Sequence, residues 1–122
     1  MKQCLVVDDS RVIRRVAAKI VQDLGFAVVE ASDGGAALAQ CGAQMPDVIL
    51  LDWDMPDMAG PDVTRAVRAM PGGEMPVIVF CTTRNDPADI NEALACGADE
   101  YIMKPFDGEI VGVKFLLLDL MG

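Results

Sequence analysis

Histidine is absent from all 122 residues. That removes the imidazole on which Ser-His and Cys-His nucleophiles depend, and with it the commonest metal ligand. Cysteine occurs four times, as Cys4, Cys41, Cys81 and Cys96, but no two form a C-x-x-C pair. The pattern of a zinc site is therefore missing, and buried free thiols serving as small apolar side chains are the simpler reading. Long apolar runs are missing as well. Charge, Gly or Pro interrupts each one well short of a membrane span, and Met1-Lys2-Gln3 leads into a run too short for a signal peptide. The expectation is a cytoplasmic protein without membrane insertion. Basic residues are the minority, 10 against 19 acidic, for a net charge of −9. Such a surface repels phosphate backbones and argues against nucleic-acid binding, whereas clustered acids would attract a hard cation.

What is present is apolar and regularly punctuated. A hydrophobic content of 52% excludes intrinsic disorder, and the length suits one domain. Short apolar runs alternate with helix-period stretches. A strand is expected over Gln3–Val7, then a helix carrying Val12, Ile13, Val16, Ala17, Ile20, Val21 and Leu24, stopped at Gly25. A weaker strand follows at 27–31, and Asp33 caps a helix through Ala36, Ala37, Leu38 and Cys41 that ends at Gly42. The third strand, 47–52, is continuously apolar from Val48 to Leu51, as suits a strand covered on both faces. Pro61-Asp62 opens a helix with Val63, Ala66, Val67 and Met70 inward, and 76–82 forms the fourth strand. Asp86-Pro87 opens a helix carrying Ile90, Ala93 and Leu94 and ending at Gly97; 99–103 forms the fifth strand; Asp107 caps a last helix to about Leu120. Five strand–helix units in this order demand a parallel sheet with helices on both faces, a single doubly wound (βα)5 α/β domain.

In such sheets ligands gather at the carboxyl ends of the strands. Asp8 and Asp9 close the first strand, Asp52 the third, Thr82 and Thr83 the fourth, and Lys104 the fifth. Three carboxylates, a hydroxyl and an ammonium at adjacent strand ends suit a divalent cation and a phosphoryl group. A carboxylate at the mouth of a buried strand is costly to desolvate, so it needs a partner or a task. The plainer readings are a helix cap for Asp8-Asp9-Ser10, a strand residue for Thr82, a half-buried ring for Tyr101 and a solvated loop lysine for Lys104. Asp54 and Asp57 read equally as turn residues around Met55-Pro56.

These blocks resemble the receiver domain of two-component response regulators over nearly the whole chain, and most of all the stand-alone CheY-like kind. The resemblance rests on Val6-Val7-Asp8-Asp9-Ser10, Leu50-Leu51-Asp52 with Met55-Pro56 and Gly60, Cys81-Thr82-Thr83, and Tyr101-Ile102-Met103-Lys104-Pro105-Phe106. It implies the flavodoxin-like strand order 2-1-3-4-5 and one receiver domain over 1–122 with no output domain. Asp52 would accept a phosphoryl group from a histidine kinase or histidine phosphotransfer protein. Asp9 and Asp52 would bind Mg²⁺ (or Mn²⁺ in its place) by side chain, Asp8 largely through water, and Asp54 by its main-chain carbonyl. Thr82 and Lys104 would hold phosphoryl oxygens, and Tyr101 would reorient with Thr82. Trp53, Asp54, Thr83, Arg84 and Pro105 would modulate the site. The implied role is phosphorylation-dependent switching rather than enzymatic output, in a monomer or weak dimer. Its downstream target would be a flagellar motor switch component or another regulator.

Three features depart from the common pattern or extend it. Asp54 and Arg84, each two residues past a site residue, are expected to pair across the site mouth and restrict hydrolytic water. Ala59-Gly60-Pro61 replaces the more usual Asp-Gly start of the third helix. The last helix, with Ile110, Val111, Val113, Phe115, Leu116, Leu117, Leu118, Leu120 and Met121, is more apolar than one buried stripe requires, which points to a partner surface. Rival readings stay open: a phosphate sink or relay intermediate, a haloacid-dehalogenase-like phosphatase built on Asp52-Trp53-Asp54, and a flavodoxin-like electron carrier. Against the second, the D-x-D lies on the third strand and no cap domain fits; against the third, the first loop is poor in Thr, Ser and Gly.

Overall fold

The computed structural model describes residues 2–118 and Leu120; Met121, assigned above to the last apolar run, lies outside the described residues, as do Met1, Asp119 and Gly122. The strands are β1 (Gln3–Val7), β2 (Ala27–Ala31), β3 (Val48–Asp52), β4 (Val77–Thr82) and β5 (Glu100–Met103). They alternate with helices α1 (Arg11–Asp23), α2 (Gly34–Ala43), α3 (Gly60–Arg68), α4 (Pro87–Ala95) and α5 (Gly108–Leu117). All neighbouring strands pair in parallel, in the order β2-β1-β3-β4-β5.

Alternation along the strands splits the core into two layers. Leu5, Val7, Ile49, Leu51, Ile78 and Phe80 face α2, α3 and α4, meeting Ala37, Cys41, Val63, Val67 and Ala93. Cys4, Val6, Val48, Leu50, Val79, Cys81 and Ile102 face α1 and α5, meeting Ala17, Val21, Val111 and Phe115. All four cysteines are buried and free, as small apolar residues would be.

Side chains set most helix starts. Ser10, Asp33, Asp86 and Asp107 each accept a hydrogen bond from the first turn of α1, α2, α4 and α5. Helix α3 is the exception: Ala59 stands at its N-cap and offers no side-chain bond, and Pro61 preorganises the first turn instead.

Several sequence expectations are corrected. Val12 and Val16 of α1 are 71% and 48% exposed, because the buried face centres on Ala17, Ala18 and Val21. Leu94 of α4 points outward, leaving Ala93 as that helix's buried residue, and Ala36 of α2 is exposed. Helix α3 stops at Arg68, before Met70, and α5 stops at Leu117. Beyond α5 the chain turns back: Leu120 N donates to Phe115 O (2.9 Å), and the Leu120 side chain is buried against the α1–α5 layer.

Candidate functional site

Strand β1 ends where its neighbours β2 and β3 are reached by helices on opposite faces, the position at which a crevice opens. Asp8 leaves β1 buried, and Asp9 beside it is exposed. Ser10 N donates to Asp8 Oδ1 (2.9 Å), and Arg14 Nη1 donates to the Asp8 carbonyl (2.8 Å) while its Nε holds Glu30 (3.0 Å). Asp52 ends β3 with only 7% of its surface exposed. Lys104 Nζ lies between these two acids, 2.8 Å from Asp8 Oδ2 and 3.2 Å from Asp52 Oδ1. The Lys104 main chain is fixed by its N–H to Thr82 O (2.8 Å), and the Lys104–Pro105 peptide is cis.

One carboxylate oxygen from each of Asp8, Asp9 and Asp52 lies within 4.8 Å of the others. Three converging hard-oxygen donors at a solvent-reachable strand end suit a divalent cation, and a single lysine leaves the trio under-neutralised. The charge balance is visible in protonation. Burial first, then the Asp8 and Asp9 charges, push the Asp52 carboxyl up to about 6 against the opposing pull of Lys104. Burial works against the Lys104 ammonium, yet the hydrogen bonds and charges of Asp8 and Asp52 outweigh it and raise it above the ordinary lysine range.

The loop after β3 is held tightly. Trp53 is buried with its ring centroid 5.3 Å from that of Phe80, and Gly60 N donates to Trp53 O (2.7 Å). A methyl group on Gly60 would run into the Phe80 ring and come within 2.9 Å of the Asp52 carbonyl. Glycine here lets α3 start directly beneath the acidic pocket.

Thr82 ends β4 buried, on the face that Phe80 shares with α4, and its Oγ1 accepts from Arg84 N (3.0 Å). Tyr101 stands opposite Phe80 in the β4–β5 register and packs half-buried against the same layer. Arg84 holds Asp54 in a two-bond fork, at 2.6 and 3.2 Å, and its guanidinium carbon lies 4.8 Å from the centroid of the Trp53 ring. Hydrogen bonding to Asp54 raises the Arg84 guanidinium further above its already high value. Thus the structure brings together Asp8, Asp9, Asp52 and Lys104, and separately Trp53, Asp54 and Arg84. Thr83 and Pro105 are exposed and line an apolar groove of about 350 Å³ with Ile13, Val16, Lys104 and Phe106.

Three further residues carry roles that the sequence pattern does not reveal. Arg14 secures the backbone that carries Asp8, as above. Asp57 is a second cap for α2, accepting from Gly34 N (3.0 Å) and Gly35 N (2.9 Å); those two bonds lower its carboxyl pKa. Arg68 donates to the carbonyls of Gly73, Pro76 and Gly97 and pairs with Asp99 at 3.0 Å, closing the opposite end of the sheet.

A parallel sheet of this order with an acidic trio and a lysine at its carboxyl edge defines a class, and comparison with known proteins gives it a family. Residues 4–111 match the response regulator receiver domain. The chain belongs to that family. It is similar to the chemotaxis protein CheY of Pseudomonas aeruginosa, 35% identical over 90% of each chain. Its fold matches that of CheY4 of Vibrio cholerae with a TM-score of 0.90 and 36% identity, covering 97% of this chain and 98% of that one. A transcriptional regulatory protein of Mycobacterium tuberculosis, KdpE, is 40% identical over 87% of this chain, but this chain spans only 46% of its length. No helix among the described residues is long and apolar enough to cross a membrane.

Proposed function

We propose that this chain is a CheY-like, cytoplasmic response regulator that accepts a phosphoryl group on Asp52 and, so modified, changes the shape of a protein-binding surface. The observation that carries the reading is the buried Asp52 carboxylate, joined to Asp8 through Lys104 and flanked by Asp9 at the mouth of the sheet.

In the step itself an Asp52 oxygen forms a bond to phosphorus while the phosphorus–nitrogen bond of a phosphohistidine breaks, its electron pair returning to the imidazole. The product is a mixed anhydride. With no histidine among these 122 residues, the donor imidazole belongs to a histidine kinase or histidine phosphotransfer protein. A carboxylate approaching an anionic phosphoryl group about 4 Å away meets a repulsion of roughly 4 kcal/mol at an effective dielectric near 20. Mg²⁺, or Mn²⁺ in its place, when bound by Asp9 and Asp52, with Asp8 and the Asp54 carbonyl assisting, supplies the Lewis acid that offsets this repulsion. Lys104 contributes a mobile point charge where the new charge density appears, and Thr82 a hydroxyl donor.

Phosphorylation would then favour the form in which Thr82 and Tyr101 move inward. The adjoining surface is the receptive one. Ile110, Val113, Leu116 and Leu117 of α5 are exposed, and a groove of about 290 Å³ between Tyr101, Met103, Pro105, Ile110 and Lys114 runs beside them. The CheY relatives favour a motility target for that face. The deciding experiment treats the protein with acetyl phosphate and Mg²⁺ and looks by mass spectrometry for a hydroxylamine-labile phosphoryl adduct on Asp52. An adduct that vanishes in Asp52→Asn supports the reading; an unmodified Asp52 with magnesium present defeats it.

A further inference from the structure

Arg84 touches more of the switch than its position in a loop suggests. Its N–H is bound by Thr82 Oγ1 at 3.0 Å, its fork by Asp54, and its remaining nitrogen reaches Asp89 in the first turn of α4 at 3.6 Å. Its guanidinium covers Trp53. Beneath it Phe80, Thr82, Tyr101, Ile90 and Ala93 meet with no room between them for a water molecule. An inward turn of the Tyr101 ring therefore has to displace the α4 side chains Ile90 and Ala93 packed there.

We propose that Arg84 is a positioning residue that latches α4 against this contact through Asp89, and that a phosphoryl group on Asp52 releases the latch. The proposal rests on Asp52 being the phosphoacceptor. One guanidinium is shared between two carboxylates, and the Asp89 contact is the longer and weaker of the two. A phosphoryl group on Asp52 replaces a carboxylate charge of about −1 by about −1.5 to −2, and adds phosphoryl oxygens, two residues from Asp54; the planar fork of arginine prefers such an oxygen-rich anion. Thr82 moving toward that group carries the Arg84 backbone along, because the two are hydrogen-bonded. Both displacements stretch the 3.6 Å contact first. With it gone, Ile90 and Ala93 can yield and Tyr101 can enter. An exposed ion pair and a cation over an indole together shift a two-state equilibrium by about five- to tenfold, enough to set the resting population of the switch.

Tyr101 is the only tyrosine, so incorporating 3-fluorotyrosine gives one fluorine resonance that reports the ring directly. Spectra of the wild type, Asp89→Asn, Arg84→Ala and the double variant are recorded before and after acetyl phosphate with Mg²⁺, with intact-protein mass measured alongside. The latch requires that each unmodified single variant already lies part-way toward the phosphorylated wild-type position, with the inward fraction raised about fivefold. The double variant should move no further than the singles. Asp86→Ala is the control: it removes the α4 cap on Ala88 N without touching Arg84, so its Tyr101 resonance should rest where the wild type's does. If wild-type protein takes no phosphoryl adduct, the reading of Asp52 falls and the latch with it. If the adduct forms but the wild-type resonance stays put, the variants rest at the wild-type position, or Asp86→Ala moves as far as Asp89→Asn, the latch alone is overturned.

Discussion

Replacing Asp52 by Asn should make the metal-free protein more stable. Burial and the Asp8 and Asp9 charges lift the Asp52 carboxyl from 3.8 to about 6 even with Lys104 at 3.2 Å. A carboxyl whose folded pKa lies above its unfolded value holds its proton more firmly in the native state, so native stability falls as pH rises through the window between the two. A shift of two units, at about 1.4 kcal/mol each, makes the ionised side chain cost about 3 kcal/mol above pH 7. Asparagine resembles the protonated acid in shape and charge, and the pKa already nets the attraction of Lys104, which retains Asp8. Urea unfolding in EDTA at pH 7.5 should therefore place Asp52→Asn above the wild type by up to about 3 kcal/mol, or roughly 10 °C in Tm for a domain of this size. The gap should shrink to about 1 kcal/mol near pH 4.5, where the native carboxyl is already protonated. A variant no more stable than the wild type at pH 7.5, or a gap that does not narrow on acidification, would refute the electrostatic account of the pocket.

The same repulsion should reward a cation. Mg²⁺ at about ten times its dissociation constant should raise wild-type stability by about 1.4 kcal/mol, reversed by EDTA and largely missing in Asp52→Asn. Gly60→Ala, whose new methyl meets Phe80 and the Asp52 carbonyl, should cost about 1–3 kcal/mol in urea unfolding and slow phosphorylation by acetyl phosphate. Gly112→Ala places its Cβ at an ordinary 3.6 Å from Leu24 Cδ2 and should raise the urea midpoint by a stability gain of about 0.5–1 kcal/mol. Ala59→Asp supplies the missing cap of α3 and should add about 1 kcal/mol by the same measurement.

Legible and hidden features of this chain divide along a physical line. Apolar runs that stop at charged or hydroxyl residues announce strand ends, so the amino-acid order alone places Asp8, Asp52, Thr82 and Lys104 at one edge of the sheet. The helix caps at Asp33, Asp86 and Asp107 are equally legible, because each bonds an amide two or three residues away. Long-range bonds to main-chain groups leave no such mark. Arg68 binds three carbonyls, and Asp57 binds amides 22 and 23 residues back; any residue could have offered those atoms. Helix α1 misleads for another reason. Val12 and Val16 share its apolar stripe with Ile13 and Ala17, and periodicity alone cannot say which edge of a wide stripe meets the sheet.

A pocket assembled for stability would not set three carboxylates within 4.8 Å around one lysine at the end of a buried strand. The rest of the fold supplies what this arrangement lacks: two apolar layers, four side-chain caps, and the Arg68 clasp on carbonyls at the far edge. Because the acids repel each other when alone, bringing a divalent cation among them relieves strain that the folded chain already carries, and metal binding draws on that relief. The proposed phosphoryl group would add negative charge at the same point, where Lys104 is already shared by two acids and Arg84 is shared between Asp54 and Asp89. Of these two Arg84 is the one paired with a residue of α4, so under the proposed phosphorylation of Asp52 it would be the electrostatic link to the Tyr101 face.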